Sequence, residues 1–315
     1  SSAASDVYKR QIEYYNKYSV DLLAAINGSP TQGFGYTTLM TNNGKMVNRG
    51  VEITLSGEII RQKDFSWNAS LLYAFNRNKV KHISVQPSLW DSRISMPTSY
   101  PMVGKPLYGI YAYKWAGLNE NGDPQVYDAE NNVTSGPARD YHALVYCGTT
   151  VPIHNASLTN VLRYKGFEFS AMLILDAGHK LRSSNIPSIN MSNGRITSTA
   201  KGIVDRWTQP GDVTDVPRLL FSNDTENFNT HRTELYRYSD LFVYDASNIR
   251  LSNISLAYRV PAHWCKKISL SGARLQFNVE NVATFAFDSK ANYDLGGKVK
   301  PNYVWGLYLN LSSIV

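Results

Sequence analysis

The chain lacks the features that mark several common classes of protein. Its longest apolar runs, such as residues 22–26, are far shorter than the roughly 18 residues that a membrane-spanning helix needs. Its two cysteines, Cys147 and Cys265, lie far apart and have no neighbouring ligands at the spacing of a zinc site. The net charge of +7 is spread along the chain without a block of Lys and Arg, so no nucleic-acid partner is predicted. Any role in a membrane therefore requires strands.

Aromatic side chains, by contrast, are abundant. The chain has 21 Tyr, 11 Phe and 6 Trp, whereas charged residues make up only 18% of it. Asn, Ser and Gly are also frequent. This composition is typical of a transmembrane β-barrel with long polar loops, although a secreted β-rich protein shares much of it.

Strict alternation near the C-terminal end indicates strands. Leu275, Phe277 and Val279 alternate with polar or charged neighbours, and the odd positions of residues 303–311 are all aromatic or leucine. A period of two places every second side chain on one face, so one face is apolar and the other is polar. Such a sheet is either half of a soluble sandwich or a barrel wall with lipid outside and water inside.

The same alternation elsewhere predicts an all-β, antiparallel, up-and-down arrangement of eight strands. The predicted strands are residues 12–23, 51–60, 65–75, 158–164, 167–175, 242–258, 270–282 and 303–311. The apolar positions change from odd to even within residues 242–258, which predicts a β-bulge near Asn253.

The connections between these strands are of two kinds. Short turns are predicted at residues 61–64, 165–166 and 261–267, and long loops at residues 24–44, 78–154, 182–238 and 287–301. Within the longest loop, residues 108–115 are predicted to form a local hairpin. Short turns at one end and long loops at the other are typical of a transmembrane barrel, whereas a sandwich would have short turns at both ends.

Short motifs follow one another in a fixed order along the chain. They are NRGVEI at 48–53, FSW at 65–67, NRNKV at 76–80, YAYK at 111–114, GL at 117–118, GDP at 122–124, YKGF at 164–167, RW at 206–207, PGD at 210–212, DAS at 245–247, IRL at 249–251, Asn278, Asn281 and TF at 284–285. In this order they resemble the C-terminal part of the SusC/RagA family of TonB-dependent outer-membrane transporters. They cover nearly everything after residue 12.

The resemblance implies a 22-stranded barrel in the bacterial outer membrane, of which this chain supplies about eight strands. It also implies import of oligosaccharides or peptides, a SusD-like surface lipoprotein as a lid, and TonB–ExbB–ExbD as the energy source. The expected division is a sequencing-library scar at residues 1–11 and the C-terminal barrel at 12–315, without the plug and the TonB box. The alternative is a secreted β-sandwich that binds glycans.

Candidate contact residues are the aromatic side chains of the long loops. They are Trp90, Tyr100, Tyr127, Tyr141 and Trp207. Such side chains stack on sugar rings or on a partner protein, but they equally well pack the loops themselves. Trp67, Tyr258 and Trp305 are instead expected to form the aromatic belt at the membrane interface.

No catalytic, metal or cofactor site is predicted. Asp205, Asp212 and Asp215 share one loop, but nothing in the sequence fixes two of them at the separation that a glycosidase needs. The alternating residues Asn119, Asn121 and Asp123 resemble the start of a calcium loop, but the downstream Glu of such a loop is missing. An enzyme is therefore not expected.

These patterns predict three structural features. The apolar positions of the strands should face lipid: Val51, Ile53, Leu55, Trp67, Leu71, Phe277, Val279, Leu307 and Leu309. The long loops should emerge at one end of the sheet and the short turns at the other. The polar side chains on the other face of the strands, which should point inward, lack the bulk to fill a narrow eight-stranded barrel. Residues 12–23 and 303–311 should therefore not pair, and the sheet should stay open.

Overall fold

The computed structural model describes residues 8–27, 38–83, 92–136, 140–191, 199–221, 230–267, 270–295 and 302–311. Eight strands form one large antiparallel sheet: β1 (Lys9–Asn27), β2 (Thr38–Arg61), β3 (Phe65–His82), β9 (His154–Tyr164), β10 (Phe167–Ala177), β15 (Asn248–Arg259), β16 (Leu270–Ala286) and β17 (Asn302–Leu311). Each strand pairs with the next in this order. Among the described residues, no helix is long and apolar enough to cross a membrane.

The sheet is open, as predicted. Its first strand, β1, pairs with β2, and its last strand, β17, pairs with β16, while no ladder joins β1 to β17 in the described part of the chain. The predicted architecture of an up-and-down wall of eight strands is therefore confirmed.

The register aligns the apolar positions of successive strands in rows on one face. One row crosses the middle of the sheet through direct Cα partners: Leu55, Leu71, Leu158, Leu173 and Leu251. No second sheet packs on this face within the described residues, so the sandwich alternative is wrong. Of the side chains predicted to face lipid, that of Leu309 lies outside the described residues, as does that of Trp305.

One amide on this apolar face has a hydrogen-bond partner. Asn160 pairs with Ala69 and Ala171 in the register, among apolar rows. The indole Nε1 of Trp67 donates to Asn160 Oδ1 at 3.1 Å. An unpaired amide facing hydrocarbon is costly, so Trp67 stabilises this position as well as contributing an aromatic surface.

Several predicted strand limits are wrong. Within the loop predicted at residues 24–44, the described residues 24–27 and 38–44 are strand instead, because β1 runs to Asn27 and β2 starts at Thr38, with these two residues paired. The first strand starts at Lys9 rather than at residue 12, β3 extends to His82, and β16 extends to Ala286. Alternation marks only the part of a strand that faces lipid on one side and water on the other, so it ends before the strand does.

The predicted bulge near Asn253 is confirmed. The register between β15 and β16 shifts between Leu251 and Asn253, and the register between β10 and β15 shifts at the same place. Asn281 on β16 has a φ of 53°, which fits a local break in the ladder. The arm predicted at 242–258, however, is two strands, because β14 (Val243–Asp245) leaves the large sheet and pairs with β11 (Lys180–Arg182).

The short turns lie together at one end of the sheet. The backbone N–H of Lys165 donates to the carbonyl oxygen of Asp64 (3.2 Å), and that of Arg259 donates to Gly166 (2.8 Å). The third turn contains the helix α3 (Ala262–Lys266). The described loops leave from the opposite end, where the N–H of Phe287 donates to the carbonyl of Ser247 at 2.9 Å. The predicted separation of turns and loops is confirmed for the described residues.

The loops fold into small elements of their own. These are β4 (Gly109–Tyr113), β5 (Trp115–Leu118), β6 (Pro124–Tyr127), β7 (Val133–Thr134), β8 (Leu144–Thr149), β11, β12 (Asn190–Met191), β13 (Leu220–Phe221) and β14, with the helices α1 (Ser92–Ser95), α2 (Thr230–Arg237) and α4 (Asn292–Leu295). The hairpin predicted at 108–115 is wrong, because β4 pairs with the distant β8 while β5, β6 and β7 form the local meander. Alternation identifies a strand but not its partner.

The hydrophobic core lies in these loops and not against the sheet. One cluster is centred on Tyr111, Tyr113 and Leu235, and a second on Ile189 and Tyr236. A wall with lipid on one side and water on the other has no second layer to pack against. The packed loops are called the loop subdomain below.

Candidate functional site

An ion-pair network, here called the clasp, fixes the turn between β5 and β6. Asp123 accepts hydrogen bonds from Arg218 Nε at 3.1 Å, Arg218 Nη2 at 2.9 Å and Arg232 Nε at 2.6 Å. Arg232 is only 2% exposed and also donates to Asn190 Oδ1 and to the carbonyl oxygen of Arg218. Two guanidinium groups on one carboxylate form a structural anchor, and they occupy the oxygens of the residue that a calcium loop would use.

Trp207 packs against the same turn. The φ of Gly122 is +72°, and a Cβ placed there would lie 2.4 Å from the Trp207 ring. The N–H of Trp207 donates to Val216 and the N–H of Arg218 donates to Gly122. Only glycine allows this backbone conformation together with this close approach. Trp207 therefore packs the loop subdomain.

Arg182 joins three further segments. Its Nη2 donates to the carbonyl oxygen of Tyr111 at 2.7 Å, and its Nη1 donates to those of Arg237 and Ser239 at 3.3 Å. Arg237 is the last residue of α2, so the Arg182 guanidinium lies at the C-terminal end of a helix, where the last carbonyl groups have no partners within the helix. Burial lowers the pKa of Arg182, and the three carbonyl groups compensate for the water that it loses.

Next to Arg182, two cations and three tyrosine rings form a row that we call the cation–tyrosine ladder. It consists of Tyr141, Arg93, Tyr111, Tyr146 and Lys105. The Cζ of Arg93 lies 5.0 Å from the centre of the Tyr141 ring and 5.8 Å from that of Tyr111. The rings of Tyr111 and Tyr146 are 5.9 Å apart, and Lys105 Nζ lies 4.9 Å from the Tyr146 ring. Cations and aromatic faces attract each other at such distances.

The packing of α1 on β4 positions the ladder. Tyr111 is 1% exposed, and its hydroxyl accepts a hydrogen bond from the N–H of Met102 at 3.2 Å. Burial raises the pKa of this hydroxyl, although the Met102 hydrogen bond and the Arg93 charge act in the opposite direction. The central ring is thus held neutral and in a fixed orientation.

At its other end the ladder borders a cleft of about 160 Å³ where the loops meet the sheet. Arg77, Lys105 and Tyr146 contribute to its lining. Burial raises the pKa of Tyr146, and the nearby charge of Arg77 opposes that rise. The charged side chains of the ladder and of this cleft are all cationic, so the region favours anionic groups.

The structure brings together two of the five predicted contact residues. Tyr141 contacts Arg93 through its ring, and Tyr100 accepts a hydrogen bond from Arg93 Nε at its carbonyl oxygen, at 3.3 Å. Tyr127 lies apart on β6, with Lys114 Nζ 4.6 Å from its ring. Trp207 belongs with the clasp, and Trp90 lies outside the described residues.

Arg93 was missed in the sequence because a single arginine between aromatic residues has no periodicity. The sequence did contain one signal for Arg93: it is a cationic residue close to Tyr100, in a loop rich in tyrosine, and cations contact aromatic rings. The pairing of Arg93 with Tyr111 and Tyr141 depends on chain folding over a long sequence distance, which spacing does not show.

Two of the three loop carboxylates that were considered for catalysis, those of Asp212 and Asp215, have structural partners. Asp212 accepts hydrogen bonds from Thr208 and Gln209, which lower its pKa. Asp215 accepts the indole N–H of Trp115 at 2.9 Å. Within the described residues, no group of three or more His, Cys, Asp or Glu side chains is placed to hold a metal ion.

Comparison with known proteins relates the whole chain to one class of receptor. No protein-family model matches the chain. TonB-dependent receptor P3 of Formosa agariphila is 24% identical over 294 residues, which are 87% of this chain and 28% of that protein. TonB-dependent receptor SusC of Bacteroides thetaiotaomicron is 23% identical, over 86% of this chain and 26% of SusC.

A solved structure described as the RagAB peptide transporter has the same fold. It superposes with a TM-score of 0.72 at 20% identity, covering 96% of this chain and 33% of that chain. The chain thus spans about a quarter to a third of the length of the proteins that it matches. In sequence the chain is thus similar to TonB-dependent receptors, SusC among them, and in fold it is similar to part of the barrel wall of the RagAB transporter.

Proposed function

We propose that the protein imports oligosaccharides or peptides across the outer membrane, and that this chain supplies part of the barrel wall together with substrate-facing loops. The observation that carries the proposal is the asymmetry of the sheet. At one end its strands are joined by short turns, and at the other they carry a subdomain with its own hydrophobic core. Loops held by a rigid scaffold are where binding residues concentrate.

The partners follow from the same proposal. A SusD-like surface lipoprotein would cover the loop subdomain, and TonB–ExbB–ExbD would supply energy through segments other than this wall. The relatives are named receptors and a peptide transporter, which supports transport rather than catalysis. Of the predicted contact residues, we select Tyr100 and Tyr141 as the ones that meet substrate, because both contact the same guanidinium group, that of Arg93.

The test is uptake by the living cell. The complete gene is deleted from the host bacterium, and the entry of labelled oligosaccharides and peptides of several lengths is measured. The proposal expects loss of uptake of at least one of these classes and its restoration by the complete gene. Uptake of every oligosaccharide and peptide at the parental rate would contradict it. Uptake of a small sugar that diffuses through general porins serves as the control for cell integrity.

A further inference from the structure

The loop subdomain contains a buried cation without a counter-ion. Arg93 is only 7% exposed. Its Nε donates to the carbonyl oxygen of Tyr100, and its other contacts are the rings of Tyr111 and Tyr141. Among the described residues, no ion pair joins it to an Asp or Glu, and the one hydrogen bond that it donates there comes from Nε. Burying a guanidinium without such partners is unfavourable.

Two other arginines of the subdomain show the contrast. Arg232 uses all three of its nitrogens, on a carboxylate, an amide and a carbonyl oxygen. Arg182 uses both terminal nitrogens on three carbonyl oxygens. Arg93 therefore differs from both in that its hydrogen bond within the described residues comes from Nε and not from its two terminal nitrogens.

We infer that the Arg93 guanidinium, together with the rings of Tyr111 and Tyr141, binds a carboxylate group of the transported molecule. This inference rests on the proposed import function and names the chemistry of its substrate. A guanidinium presents two parallel N–H groups that match the two oxygens of a carboxylate.

The electrostatics of the ladder favour the same ligand. Lys105 lies at its far end, Arg77 lies beside Tyr146, and both are positive. Burial lowers the pKa of Arg93, so an arriving anion removes an unfavourable state as well as forming hydrogen bonds. A neutral sugar or an uncharged peptide gains neither effect.

The carboxylate has two possible sources, a sugar acid or an amino acid. The experiment uses the complete receptor with its lipoprotein, purified in detergent, and measures Kd by calorimetry. The probes are a hexuronic-acid tetrasaccharide and a glutamate-containing peptide. Each is paired with a neutral form, made by reducing the sugar carboxyl groups or by amidating the peptide carboxyl groups. The preference is the ratio of the neutral to the acidic Kd.

The variants are Arg93→Gln and Arg93→Lys, with Arg237→Gln as the matched control. Arg237 is exposed and lies 5.7 Å from the Tyr238 ring, so the control removes the same charge from a similar ring contact. For whichever probe is bound, Arg93→Gln should lower the preference about tenfold or more. Arg93→Lys, which keeps the charge but not the fork, should lower it by a smaller factor, and the control should keep it.

An unchanged preference in Arg93→Gln overturns the inference, as does a wild-type receptor that binds both members of each pair equally. Either result leaves the import function standing, provided that uptake is lost on gene deletion. If Arg93→Gln fails to assemble in the outer membrane, Arg93→Lys decides the question by the same ratio. Loss of the preference in the Arg237 control also counts against the inference, because it would show a diffuse effect of charge.

Discussion

Removal of the Asp123 carboxylate should unfold the loop subdomain locally while leaving the barrel wall intact. In the Asp123→Ala variant, Arg218 and Arg232 lose the carboxylate that both of them contact. Arg218 is partly exposed and can turn to water. Arg232, with 2% of its side chain exposed, has no such route.

The size of the effect follows from the burial of Arg232. Breaking a buried ion pair by removing one partner costs about 3–5 kcal/mol, because the remaining charge is left uncompensated. Hydrogen bonds from Arg232 to Asn190 and Arg218 persist, which places the expected cost near the lower limit, about 3 kcal/mol. The free energy that is lowered is that of the local opening of α2 and of the β5–β6 turn.

Hydrogen exchange of the complete receptor in detergent measures this local opening. A loss of about 3 kcal/mol should speed exchange of the α2 amides by roughly a hundredfold, while amides in β9 and β10 keep their rates. Glu120→Ala is the matched control, since Glu120 is an exposed carboxylate of the same turn. Unchanged exchange in α2, or equal acceleration in the control, would refute the assignment of the clasp as an anchor.

Three further outcomes are expected. Leu71→Arg should destabilise the folded barrel by about 2–4 kcal/mol in lipid, because the residue faces hydrocarbon near mid-strand. Ser70→Arg, on the opposite face, should have little effect. Urea unfolding in vesicles measures the stability of both variants. Gly122→Ala should accelerate proteolysis of the loops, since a Cβ would lie 2.4 Å from Trp207 and the φ is +72°; unchanged cleavage would contradict this. Burial raises the pKa of Cys147 to about 11. In a variant that lacks Cys265, alkylation of Cys147 at pH 7 should therefore be slow in the folded protein and faster after unfolding. Fast labelling of the folded protein would count against this prediction.

The wall could be predicted from the sequence because two solvents impose its pattern. Lipid on one face and water on the other select apolar and polar residues alternately, so Leu275, Phe277 and Val279 indicated both the strand and its lipid face. The bulge at Asn253 was visible for the same reason, as a change of phase. Where a strand runs beyond the membrane this selection ends, and the paired residues 24–27 and 38–41 were wrongly predicted as loop.

The site could not be predicted in the same way, because it depends on contacts distant in sequence. The clasp joins Asp123 to Arg218 and Arg232, and the ladder joins Arg93 to Tyr141. No period connects such positions. Composition did show that the loops are rich in aromatic side chains, which is why Tyr100 and Tyr141 were selected, but it could not separate Trp207, which packs against Gly122, from the residues beside Arg93.

Stability and recognition are divided among the loop arginines. Arg232 and Arg182 have their terminal nitrogens hydrogen-bonded within the chain, and they fix the positions of α2 and β4. With those elements fixed, the rings on either side of Arg93 have little freedom, so its terminal nitrogens keep a defined direction. A carboxylate that meets preoriented donors loses less entropy on binding than one that must order a flexible side chain. The anchoring arginines therefore contribute to recognition without touching the ligand, by holding Arg93 in the geometry that a carboxylate requires.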